Sequence, residues 1–189
     1  MRKTKNQIVL DLLLSNNIDT VLEVGGGNAE FATLAAKNGF KVVVLDPKLK
    51  PKRSGSQSPG LSLIQTRLQD YASNVQFDAA VMMFVLHSLS AQEGKDLVRI
   101  ALERHIKPGG ILIVMDYSYP KAGIMNWLQW VGIEIDEILT IAQDASFTHY
   151  RNFRQFVAGH SITSLAHQWH GSFPHATCKL QFLRFPLAG

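Results

Sequence analysis

"TVLEVGGGNAEFATLAAKNGFKVVVLDP" (residues 20–47) holds two short apolar runs, 21–24 and 41–45, separated by three consecutive glycines and a stretch with helical apolar spacing. Runs of this kind joined by a helix-length crossover form a βαβ unit with parallel strands. Gly25 and Gly27 fall where the first strand gives way to its helix. Without Cβ atoms they reach unusual dihedrals and let a ligand touch the main chain. The free amides and the dipole of the following helix favour a negative group there. In an open parallel sheet, ligands bind beyond the carboxyl ends of the strands, where this loop lies.

The dinucleotide pattern G-x-G-x-x-G would place a glycine at position 30, but the chain carries Glu30. A carboxylate is a poor neighbour for pyrophosphate, which argues against a nicotinamide or flavin enzyme. Glu23 precedes the loop, giving E-x-G-x-G, and Asp46 ends the second run. An acid about 20 residues beyond the glycines can bind both ribose hydroxyls.

Working outward, the 189 residues, 46% hydrophobic and 18% charged, suit one globular domain with a sizeable core. Further apolar runs at 61–65, 79–84 and 111–115 alternate with helical patterns, which predicts an α/β fold with a mostly parallel, helix-covered sheet. Residues 91–110 predict a crossover helix with Leu97, Ile100, Ala101 and the stem of Arg104 on one face, stopped by Pro and Gly. Residues 117–150 are too long and apolar for a plain connection and predict a helical cap insertion. Residues 153–171 read as a broken helix, and "CKLQFLRF" (178–185) as a strand. No turn signal divides 172–189 into two full strands, so the expected sheet edge is shortened or is completed by a second copy in a homodimer.

The single cysteine, Cys178, excludes an intramolecular disulfide and a zinc site of paired cysteines, and fits a reducing cytoplasm and an apolar filler role. Asp11 interrupts the apolar stretch behind the basic N-terminus, so that segment reads as an amphipathic helix and not a signal peptide. No apolar run approaches the roughly 20 residues of a membrane span. The formal charge is +4, concentrated in "KLKPKRSGSQSPG" (48–60), a basic loop that reads as solvated or as a contact for nucleic acid or phosphate.

The glycine stretch, with "FDAAVMMFVLHSL" (77–89) and "IKPGGILIVMDY" (106–117), resembles the class I S-adenosylmethionine-dependent methyltransferases over residues 7–116, with the motifs in the family's order. The resemblance implies a Rossmann-like fold and S-adenosylmethionine as cofactor. Glu23 would organise the loop or meet the cofactor amino group; Gly25, Gly26 and Gly27 would pass the methionine portion; Asp46 would hold the ribose and Pro47 would lie near adenine. Many relatives carry an aspartate where Arg67 stands, leaving main-chain groups around Leu68 to meet adenine. Met83 and Phe84 end the fourth strand, as core residues or as contacts to cofactor and substrate. His87 follows, as a structural hydrogen-bonding group or as a base.

Methyl transfer from a sulfonium depends chiefly on positioning, so a base is optional. "MFVLH" (83–87) lacks the Asn or Asp, paired prolines and aromatic residue that the family uses on amide and adenine amino groups, and no cysteine stands nearby for methylation at carbon five. The resemblance is greatest to the branch of quinone-biosynthesis and natural-product enzymes, which implies a small-molecule acceptor. Met125, Trp127 and Trp130 in the cap would seal the core or line a pocket for an aromatic or apolar acceptor, with His149 as the preferred optional base. An RNA methyltransferase using residues 48–53 and a non-catalytic partner protein of the same fold are the competing classes.

Overall fold

Thr20–Val24 form strand β1, and every residue from Val21 to Val24 is buried. The computed structural model describes residues 4–50, 58–117, 169–173 and 176–184. β1 lies between β2 (Lys41–Leu45) and β4 (Phe77–Met83), parallel to both. β3 (Leu61–Ile64) pairs parallel with β2, and β5 (Ile106–Tyr117) pairs parallel with β4. A strand buried on both faces needs no polar alternation, which is why these segments read as continuous apolar runs.

Successive side chains of a strand point to opposite faces. Val21, Val42, Val44, Ala79, Val81, Ile111 and Ile113 accordingly pack with helices α1 (Lys5–Leu14) and α2 (Glu30–Lys37). Leu22, Val24, Leu45, Ala80, Met82, Leu112 and Val114 pack with α3 (Ala91–Ile100) on the other side. Each such Val or Leu contributes about 1.5–3 kcal/mol by leaving water. Helices therefore cover both faces, as the alternation of segments predicts.

α1 starts where the Thr4 side chain accepts the Gln7 N–H, at 3.2 Å. α3 opens on a capping box: Ser90 Oγ accepts the Glu93 N–H at 3.2 Å, and Glu93 Oε2 accepts the Ser90 N–H at 2.8 Å. Beyond Ile100 the chain widens into a π turn, Ala101–His105, which rotates the register of the expected helix face. Leu97, Ile100 and Ala101 are buried as expected, but Arg104 is exposed, and Leu102 and His105 take the inward positions. Pro108 and Gly109 then fall inside a bulge of β5, because Phe77 pairs with Ile106 while Ala79 pairs with Ile111.

The far edge of the sheet corrects the sequence reading. β6 (Trp169–Phe173) and β7 (Ala176–Arg184) pair antiparallel, and β7 pairs antiparallel with β5. The order is β3-β2-β1-β4-β5-β7-β6, so the edge is neither shortened nor in need of another subunit. Trp169, His170 and Gly171, expected at the end of a broken helix, are strand residues. The missed signal is brevity: only residues 174–175 separate the two strands. Of the cap expected at 117–150, Tyr117 is instead the last residue of β5; the rest of it, the start of the 153–171 segment, and the side chain of Cys178 lie outside the described residues.

At the opposite end of the sheet, Asp78 ties β4 to β1. Its Oδ2 accepts the Thr20 N–H and hydroxyl, both at 2.8 Å, and Lys107 Nζ donates to Oδ1 at 2.7 Å. Partial burial pushes this carboxyl up, but the Lys107 and Thr20 bonds and the backbone amides of Thr20 and Asp19 outweigh it and hold the pKa at about 2. A depressed carboxylate stabilises the fold above its unfolded pKa near 4, and loses that contribution as pH falls toward 2. Asp78→Asn is expected to cost about 1–2 kcal/mol at neutral pH and little near pH 2. Urea unfolding at the two pH values checks this; an equal cost at both would assign the effect to packing.

Candidate functional site

β1 ends at Val24, and Gly25 turns away with φ +76°, its N–H donating to the Leu45 carbonyl at 2.8 Å. Gly27 is also left-handed, at φ +53°, and its N–H donates to Asp46 Oδ2 at 2.8 Å. Asp46 Oδ1 accepts the Lys48 N–H at 2.6 Å, while the Lys50 N–H donates to the Gly27 carbonyl at 2.9 Å. The ends of β1 and β2 are thus clasped through one buried carboxylate. Each amide binds one oxygen, and the remaining lone pairs stay available to a ligand.

Glu23 lies one residue before the strand's end, 3% exposed, on the α1/α2 side of the sheet. Its Oε2 has no hydrogen-bond partner among the described residues. Burial pushes its pKa up to about 8; the Ala32 amide and the Lys5 ammonium oppose the shift, and the Asp46 charge adds to it. In the folded chain Glu23 is therefore largely protonated at neutral pH.

The sign of the linkage follows. The unfolded carboxyl ionises above its ordinary value near 4.5 while the folded one keeps its proton, so Glu23 lowers stability progressively from about pH 4.5 to about pH 8. Glu23→Gln, which keeps the shape of the protonated acid, is expected to raise stability by a few kcal/mol near pH 8 and to change little near pH 4. Thermal unfolding of both proteins across that range tests it; parallel curves would contradict the buried, protonated state.

The carboxyl ends of β1 to β4 open onto a cavity of about 450 Å³. Gly25, Asp46, Pro47, Leu68 and Phe84, all expected from the sequence, line it. Gly26 and Gly27 shape the loop without lining the cavity, as does Glu23 from beneath. Met83 does not line it either, and packs against the α1/α2 core. Glu30, at the position that spoils the dinucleotide pattern, is exposed, accepts from Asn28 Nδ2 at 3.1 Å and stays out of the lining.

After β4 the chain turns sharply. Phe84 is left-handed, at φ +56°, a conformation uncommon for a bulky side chain. Its N–H donates to the Met115 carbonyl at 2.8 Å, and Lys5 Nζ sits 4.7 Å from the ring centroid. Asp116, fully buried at the end of β5, accepts the Leu86 N–H on Oδ2 at 2.8 Å. These bonds fix the 84–88 segment, which contains His87 in a short 3-10 turn. His149 lies outside the described residues.

Sequence reasoning missed several residues of the lining, notably Val85, Leu89, Leu97, Arg67 as a cavity residue, and Glu93. The S-x-x-E capping box at 90–93 was the available signal: it starts α3 close behind β4 and turns its first residues toward the strand ends. Asp116 was equally visible as an acid closing an apolar run.

With this geometry in place, the comparisons with known proteins are decisive for the family. A profile described as methyltransferase domain matches residues 2–180, and the chain belongs to that family. Its fold is that of the class I S-adenosylmethionine-dependent methyltransferases. The N-methyltransferase NodS from Bradyrhizobium japonicum WM9, in complex with S-adenosyl-L-homocysteine, superposes with a TM-score of 0.69 at 17% identity, over 96% of this chain and 86% of NodS. The 1,6-didemethyltoxoflavin-N1-methyltransferase of Burkholderia thailandensis, with its bound namesake compound and S-adenosylhomocysteine, gives 0.69 at 12% identity, over 96% and 76% of the two chains. The S-adenosylmethionine-dependent methyltransferase SibL gives 0.67 at 15%; the match takes in 96% of this chain but 55% of SibL. At these identities the likeness is one of fold. A comparison with curated proteins gives no significant match.

Proposed function

We propose that the chain is a cytoplasmic S-adenosylmethionine-dependent methyltransferase acting on a small-molecule acceptor. The observation that carries this reading is the cavity beyond β1 to β4, with the Asp46 carboxylate clasped by the glycine loop at its wall, in a chain of the methyltransferase-domain family. Neighbours described with S-adenosylhomocysteine and a small acceptor support it. Among the described residues no helix is long and apolar enough to cross a membrane.

The residues present fit the cofactor. Asp46 has lone pairs left for ribose hydroxyls, the Gly25 backbone offers an approach that a side chain would block, and Leu68 with Pro47 gives adenine an apolar bed. Glu23, buried with an orphaned oxygen beneath the loop, is placed to answer a cationic amino group, whose charge would favour loss of the carboxyl proton. When bound, S-adenosylmethionine supplies a methyl group on a sulfonium with a neutral thioether as leaving group.

The chain's own contribution is positioning, which can supply most of the acceleration of an in-line displacement. Met115 and Asp116 hold the backbone of the 84–88 segment, so that Phe84 and Val85 form a fixed wall of the cavity. The acceptor side is assigned to residues 117–150 of one domain spanning 1–189, whose Met125, Trp127 and Trp130 suit an aromatic or apolar acceptor. Where the acceptor carries an acidic proton, His149, or His87 after β4, is the group to remove it.

Calorimetric titration with S-adenosylmethionine, S-adenosylhomocysteine and reduced nicotinamide dinucleotide tests the cofactor, followed by a labelled-methyl screen of phenols, amines and acidic carbon acids. Micromolar binding of the first two alone, with transfer to a small acceptor, is the expected result. A folded protein that ignores both sulfur ligands would overturn the reading; binding without turnover on any small acceptor would favour a partner protein, and turnover confined to RNA would favour the basic loop.

A further inference from the structure

Among the described residues the cavity lining contains two carboxylates, Asp46 and Glu93, and the reading above uses only Asp46. The second, Glu93, lies in the first turn of α3 and lines the cavity together with Asp46 at the end of β2. Leu68, Leu89 and Leu97 line the same cavity and make an apolar slot suited to a flat ring. A purine in that slot must find partners for its edge: adenine presents the N6 amino group as donor beside ring-nitrogen acceptors.

Resting on the S-adenosylmethionine assignment, we infer that Glu93 reads the exocyclic amino group of the cofactor's adenine. Glu93 is held for this by the capping box: Oε2 takes the Ser90 N–H at 2.8 Å while its own N–H binds Ser90 Oγ at 3.2 Å. That leaves carboxylate lone pairs for a ligand donor. Arg67 lines the same cavity at the start of the 3-10 turn Leu68–Asp70, and α3 packs on that turn. Its positive charge adds to the Ser90 bonds in holding the Glu93 carboxyl below its ordinary value. The carboxylate expected just after β3 is thus replaced by an arginine, and an acid from α3 lines the same cavity.

An inosine base carries a carbonyl oxygen where adenine carries the amino group, so it would face the Glu93 carboxylate acceptor to acceptor. Calorimetry with S-adenosylhomocysteine and S-inosylhomocysteine on the full chain reads this directly. Wild type is expected to prefer the adenosine compound by about tenfold or more, the range of a hydrogen bond to a charged group. Glu93→Gln keeps a capping-box residue at that position and so keeps α3; it should bring the two affinities within about threefold, mostly by weakening the adenosine compound. Asp46→Ala should weaken both ligands alike. An unchanged preference in Glu93→Gln, with its melting temperature unaltered, would overturn the role of Glu93 and leave the cofactor assignment standing. Failure of S-adenosylhomocysteine to bind folded wild type would overturn both.

Discussion

Asp46→Ala is expected to weaken S-adenosylmethionine and S-adenosylhomocysteine by about 100-fold or more, the equivalent of losing two hydrogen bonds to a charged acceptor. The same change should lower stability by about 1–3 kcal/mol, because the amides of Gly27 and Lys48 lose the acceptor that now sits at 2.8 and 2.6 Å. Two effects are thus combined, loss of the ribose contact and loosening of the glycine loop. Asp46→Asn separates them: one carbonyl oxygen still accepts one amide, but the charge is gone and an NH2 group faces the other donor. The asparagine protein should keep about half of the stability and still bind at least tenfold less tightly than wild type. Calorimetry and urea unfolding on all three proteins decide it. If Asp46→Ala unfolds at the wild-type midpoint, the clasp is not holding the loop; if it binds normally, the ribose is elsewhere.

How far the sequence carried depends on how local the determining physics was. β2 was legible to the residue, and β1 to within one, because strands buried on both faces must be continuous apolar runs flanked by turn formers. Gly25 and Asp46 were legible as residues of the cavity wall because a glycine turn and an acid at adjacent parallel strand ends fall where such a sheet opens. Arg104 was misplaced because a π turn adds a residue to the helical repeat, and nothing in the 3.6-residue pattern announces it. The β6–β7 pair was missed because a two-residue connection leaves little sequence in which a turn signal can appear. Glu93 and Val85 belong to a third kind: their place in the cavity follows from packing α3 and the β4 loop against the ends of β1 and β2, which are distant in sequence.

Val85 also sets a large effect expected of a single methyl group at the cavity wall. At Gly25, with φ +76°, an added Cβ would stand 2.4 Å from Val85 Cγ2, well inside van der Waals contact. Gly25→Ala therefore meets two penalties: about 1–2 kcal/mol for an L-residue in the left-handed region and about 1–3 kcal/mol for overpacking. The 84–88 segment cannot retreat freely, since Met115 and Asp116 hold its backbone. The variant is expected to lose about 2–5 kcal/mol of stability and all measurable cofactor binding, because the methyl group fills the approach to bare backbone. Gly27→Ala is the internal control: its φ of +53° carries the backbone penalty, but nothing lies within 4 Å of the new Cβ. It should cost about 1 kcal/mol and leave binding within about tenfold of wild type. In the double variant Gly25→Ala/Val85→Ala the clash is removed and the dihedral strain is not, so about half of the lost stability should return. Equal damage from the two glycine substitutions, or no recovery in the double variant, would show that backbone strain alone makes Gly25 necessary and that Val85 does not guard the cofactor's approach.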